Sequence, residues 1–159
     1  MICGSRLLAV LTSLGFLLGS IGTTRAEDPA PVRVTIVVIL ASTEKADIQE
    51  KLTALAQAIQ KRDPKLIGFQ INTVIQKSIP VGDAHTFTLL DDQKLTITIV
   101  KPKDKAGRVG LTIKPPGLDE ITYTCACEKF FPIITPYKTK SGEQLIIAIM
   151  AKPCTGKGP

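Results

Sequence analysis

Between residues 69 and 151 the chain is cut into seven short runs in which apolar and polar residues alternate, and no break between them is long enough to hold a crossover helix. A parallel neighbour needs a connection of roughly a dozen residues or more, so these runs predict antiparallel pairing. The first run, FQINTVIQ (69–76), sets Phe69, Ile71, Thr73 and Ile75 on one face. HTFTLL (85–90) and LTITIV (95–100) flank the turn DDQK (91–94) and read as a hairpin with a four-residue loop. VGLTIK (109–114) stops at Pro115-Pro116-Gly117, and ITYTCA (121–126), FFPIITPY (130–137) and QLIIAIMA (144–151) follow.

Ahead of these runs stands VRVTIVVIL (32–40), which alternates at first and then turns apolar at every position. A strand covered on both faces has that pattern, so this one belongs in the middle of a sheet. The period then changes. Ile48, Leu52, Leu55 and Ile59 recur at steps of four, three and four, which predicts one amphipathic helix over 47–61. Asp47 and Glu50 have the form of a capping box, and Asp63-Pro64 ends the run. A helix at this point lets the opening strand and the Phe69 strand lie parallel, the one exception to antiparallel pairing. The fold class expected is α+β: a mostly antiparallel sheet or sandwich with one helix after the first strand.

Near the start of the chain Arg6 is followed by an apolar run over 7–21 and by the sequence Thr24-Arg25-Ala26, which together have the form of a secretory signal peptide at residues 1–26. Fifteen residues interrupted by Thr12, Ser13 and Gly15 fall short of the roughly twenty a spanning helix needs. Cleavage after Ala26 leaves 133 residues: a loose lead at 27–31, one α+β domain at 32–154 and a polar tail at 155–159. The expectation is a secreted or periplasmic protein with no membrane span after cleavage. The formal charge of +6 drops to +4 when Arg6 and Arg25 leave. Lys101, Lys103, Lys105 and Arg108 crowd one segment, but Asp104 lies among them and no aromatic residue is interleaved for base stacking. Nucleic acid is not expected as a partner, and a solvated turn is preferred over an anionic glycan site.

Three thiols survive cleavage: Cys125, Cys127 and Cys154. Zinc held by them and His85 is disfavoured, because Cys-Ala-Cys within a β run lacks the knuckle of structural zinc sites. A bond between Cys125 and Cys127 is also disfavoured, since same-face neighbours in a strand lie about 6.5–7 Å apart, at the limit for a disulfide. A redox pair would be Cys-x-x-Cys at a helix start. If KTKSG (138–142) is a hairpin loop, facing residues sum to about 280, and Cys154 falls opposite Ala126 or Cys127. The expected bridge is Cys127 with Cys154, closing about 26 residues and contributing on the order of 3 kcal/mol, with Cys125 as the other possible partner.

No catalytic residue, metal ligand or cofactor site is assigned. Asp83 and His85 suggest an orienting pair, and Asp91 and Asp92 an acid pair, yet turns explain both. The alternative kept open is a metal-binding or hydrolytic enzyme using His85 and the thiols. For the aromatic-rich stretch Phe130–Tyr137 core packing is the default reading; the rival, taken as the candidate partner site, is an exposed apolar edge carrying Phe130, Phe131, Ile133 and Tyr137, where Pro132 and Pro136 mark positions that do not donate to a ladder.

The run SIPVGDAHTFTLLDDQKLTITIV, with GRVGLTIKPPG behind it, resembles a family of small exported bacterial proteins of planctomycete type, over 32–154. The resemblance implies an envelope or secreted location and transfers no site residue. The helix-then-strands opening and the IPVG turn are more loosely similar to accessory domains of secretion and pilus machinery. Together these readings point to a noncatalytic binding or assembly module that presents a sheet edge or apolar hairpin to another envelope protein.

Overall fold

The computed structural model describes residues 29–154, so the expected leader, the first two residues of the lead and the tail lie outside it. Within that range eight strands form two four-stranded antiparallel sheets. β1 (Val32–Ser42), β2 (Gly68–Ile79), β7 (Phe131–Lys138) and β8 (Gln144–Pro153) make sheet A in the order β2-β1-β8-β7. β3 (Ala84–Thr88), β4 (Lys94–Lys101), β5 (Arg108–Lys114) and β6 (Ile121–Ala126) make sheet B as a meander in chain order. One helix, α1 (Thr53–Gln60), follows β1. The α+β expectation, mostly antiparallel with one helix after the first strand, is met.

Two apolar layers result. Val34, Ile36 and Val38 of β1 and Leu145, Ile147 and Ile149 of β8 meet Leu95, Ile97, Ile99, Leu111 and Ile113 of sheet B between the sheets. On the opposite face of sheet A, Val37, Ile39, Ile146 and Ala148 meet Leu52, Ala56 and Ile59 of the helical segment. β1 and β8 are therefore apolar on both faces because both faces are covered; for β1 this is the central placement its sequence predicts.

Three expectations are corrected. β1 and β2 pair antiparallel, not parallel. Ser42 faces Gly68 at the base of the pair and its carbonyl accepts from Ile67 N at 2.8 Å, so the helical segment leaves and re-enters sheet A at the same end. Gly68 makes this closure possible: a Cβ there would lie 2.0 Å from the Lys45 carbonyl oxygen. Second, Asp47 does not cap the helix. It accepts from Gln70 Nε2 at 2.9 Å, its neighbour Ile48 forms a parallel bridge with Phe69, and helical structure begins only with a 3-10 turn at Glu50–Leu52. Third, the alternation in β2 does not keep one face. The ladder jumps from Val38↔Thr73 to Ile39↔Ile71, leaving Asn72 bulged, so Phe69 and Ile71 face the helix while Ile75 and Ile79 face sheet B.

Candidate functional site

At the seam between β6 and β7 the edges of the two sheets meet, and the sandwich is incompletely closed. Among the described residues β6 pairs only with β5, and its odd-numbered residues Ile121, Tyr123 and Cys125 face the same side as Leu111 and Ile113. Cys125 is buried, yet Ile121 is 44% and Tyr123 45% exposed, because sheet A does not reach across them. Tyr123 stacks on Phe131 with ring centroids 4.6 Å apart. A cleft of about 340 Å³ opens there, lined by Ile113, Ile121, Tyr123, Phe131, Ile133 and Arg62 among others.

The two edges differ in hydrogen-bonding capacity. Cys127 N donates to Gly107 O at 2.9 Å, in register with the β5–β6 ladder. Alternation along an antiparallel ladder then turns the N–H and C=O groups of Thr122, Thr124 and Ala126 away from β5. β6 has no proline and no charged residue. In β7, Pro132 opposite Ala148 has no N–H to give β8, so the outward-facing positions include Pro132 and Ile134, and Pro136, in the irregular stretch that follows, has no N–H to offer either. Two of those three carry no donor. The β7 edge is blunted and the β6 edge is open.

The four residues expected to bind a partner do not form one patch. Phe131 lies in the seam. Ile133 is buried in the core between the sheets. Tyr137 ties β7 to the β3–β4 turn, its hydroxyl donating to Asp91 Oδ2 at 2.6 Å. Phe130 is exposed on the other side of sheet A, beside the helix. Ile121 and Tyr123 take their place in the seam. Nothing local singles them out, since ITYTC alternates like any half-covered strand and only the position of β6 at a sheet edge uncovers them.

The thiols also separate. All three are free, so the expected Cys127–Cys154 bridge is not formed. The 280 register holds from Phe131↔Ile149 to Ile134↔Ile146, but the chain does not stay in sheet A below it. Glu128 takes a left-handed φ of 65°, and Cys127 goes with sheet B, packed against the core between the sheets. Cys154 extends β8, its N–H donating to Pro31 O, with its Sγ 3.5 Å from Ser78 Oγ. Ser78 and the even-numbered residues of β8 face away from sheet B, so the two thiols occupy opposite faces of sheet A. Burial, reinforced by the neighbouring Cys127, pushes the Cys125 thiol above its ordinary pKa. Burial also raises Cys127, partly offset by Lys103. Both are protonated at neutral pH, which makes them weak nucleophiles.

His85 is half-buried on β3 with its ring edge-on to Phe87, centroids 4.7 Å apart. No hydrogen bond joins it to Asp83, whose backbone belongs to the turn after Ile79. Among the described residues no three His, Cys, Asp or Glu side chains are grouped to hold a metal. In the basic segment Arg108 Nε meets Asp104 Oδ2 at 3.0 Å across a turn, and the Arg108 N–H helps hold the Asp104 carboxyl below its usual pKa. No helix of the described residues is long and apolar enough to cross a membrane. The chain matches no protein-family model, no curated protein and no solved structure.

Proposed function

We propose that the chain is a noncatalytic binding or assembly module of the cell envelope, secreted or periplasmic, that receives an extended segment of a partner protein as a fifth strand on β6. The carrying observation is the conjunction at β6 of an unpaired edge with two inward-facing side chains, Ile121 and Tyr123, that the opposite sheet leaves half-exposed. Main-chain groups of an added strand would pair with Thr122 and Thr124, and its alternate side chains would enter the cleft beside Phe131. Covering the exposed halves of Ile121 and Tyr123 contributes roughly 1 kcal/mol each, and the ladder supplies register. The leader-like residues 6–26 support export, and the resemblance to exported proteins of planctomycete type agrees with it.

The test is a photo-crosslinking residue at Thr124 of the mature domain, added to its own envelope fraction. The expected result is one discrete adduct, mapped to an extended alternating segment of the partner, that is lost in Tyr123→Asp and in Thr122→Pro. An absence of adduct, or an adduct indifferent to both substitutions, overturns the reading.

A further inference from the structure

A second opening lies on the far side of sheet A. Strand alternation turns Phe131 into the seam and Phe130 the other way, toward the helical segment. Between that ring and α1 runs a groove of about 520 Å³, within the roughly 300–1,000 Å³ of small-molecule sites. Its floor is Val37 and Ile71, and its walls include Leu52, Leu55 and Phe130. Every lining side chain is apolar except two, Lys51 from the 3-10 turn and Lys129 from the corner before β7. Among the described residues neither lysine is in an ion pair, and Glu128 beside Lys129 is held by Lys152 at 2.9 Å instead.

We propose that this groove binds a monomeric long-chain carboxylate, with hydrocarbon laid along Leu52, Leu55, Ile71 and Phe130 and the carboxylate held by Lys51 and Lys129. The charge pattern selects the class: two uncompensated cations and no acid at an apolar surface complement an anion with an alkyl body. Sugars and nucleotides are poorly served, because the lining side chains include no hydroxyl, amide or carboxylate to meet their polar groups. Each methylene moved from water onto the groove strengthens binding by up to about fourfold, so affinity rises with chain length until the groove is filled.

Calorimetric titration of the mature domain with sodium decanoate, below its micelle concentration, tests this. Saturable one-to-one binding is expected, with 1-decanol about three- to tenfold weaker because it lacks the charge. K51Q/K129Q brings decanoate down to the decanol level. Ala58→Phe, an exposed helix position that lines the groove, abolishes binding of both while leaving the thermal midpoint close to that of the parent. Tyr123→Asp leaves decanoate binding unchanged, which separates this site from the β6 edge. The proposal is overturned if decanoate binding does not saturate, if the acid and alcohol bind equally, if Ala58→Phe binds like the parent, or if binding appears only on phosphatidylglycerol vesicles.

Discussion

Tyr137 and Asp91 are 46 positions apart in the chain, and their 2.6 Å hydrogen bond links an edge strand of sheet A to a turn of sheet B. Asp91 reaches it from a left-handed turn, with φ of 51° there and 57° at Asp92, a conformation that aspartate tolerates better than most residues. Donation to the carboxylate stabilises the neutral phenol, so the Tyr137 pKa is raised, chiefly by that bond and further by burial and the Asp91 charge. A raised folded pKa means the stabilisation is fully present below the ordinary tyrosine value of about 10 and is lost as pH rises through the higher value. In a Tyr123→Phe background, ultraviolet titration should show Tyr137 ionising above that ordinary value, and Asp91→Asn should bring it back. The thiols give a second expectation. Denatured, unreduced domain should contain three free thiols, and in the native state Cys125 should react with a disulfide reagent far more slowly than the denatured thiol does. Neither point was legible in the sequence. The acid pair at 91–92 reads as a turn without revealing its tyrosine partner, and the hairpin count that brought Cys154 to Cys127 assumed that the chain stays in one sheet below Phe131.

Element by element, the reading from sequence succeeds where periodicity alone decides. The period of two places the strands, and the continuous apolar run Ile36–Leu40 in β1 announces its central position. It fails where a strand changes partner layer. The run Phe69, Ile71, Thr73, Ile75 is uniform in sequence, yet the bulge at Asn72 gives its first half to the helix and its second half to sheet B. Capping also fails as a guide, because the segment from Asp47 to Gln49 bonds to β2 before the helix begins: Phe69 N donates to Asp47 O, and Ile71 N to Gln49 Oε1. This local closure explains the antiparallel β1–β2 pair, since a segment anchored at the Ser42 end starts β2 back along β1. Gly68 is the residue on which the closure turns. Gly68→Ala drives a methyl into the Lys45 carbonyl and should cost about 1–3 kcal/mol or more, read as a lowered urea midpoint. On the outer face of sheet B, Thr86 and Thr96 share a 2.9 Å hydrogen bond, and Thr112 and Thr122 one of 3.3 Å. Such cross-strand pairs contribute roughly 0.2–1 kcal/mol, so Thr96→Ala should be a mild change beside Gly68→Ala.

For the molecule as a whole, the question is which free edges invite another chain. Sheet A ends in β2 and β7, and sheet B in β3 and β6. The β7 edge is blunted by Pro132 and Pro136, β3 is only five residues long, and β2 carries Lys77 and a bulge that twists its line. β6 has none of these protections over its six residues, and it is the edge whose inner side chains lie uncovered. Stability and docking are thus carried by different residues. Ile147, fully buried between the sheets, should cost about 2–5 kcal/mol as Ile147→Ala, whereas Tyr123→Asp, which gives up a half-exposed ring stacked on Phe131, should lower the urea midpoint less. Hydrogen exchange reads the edge directly. In the isolated domain the amides of Tyr123 and Cys125, directed at β5, should be protected, while those of Thr122 and Thr124 exchange at rates close to those of an open chain. Addition of the cross-linked partner segment as a peptide should slow Thr122 and Thr124 and leave the outward Ile134 amide of β7 unchanged. Protection appearing at Ile134 instead would move the docking strand to the proline-bearing edge and remove β6 from the account.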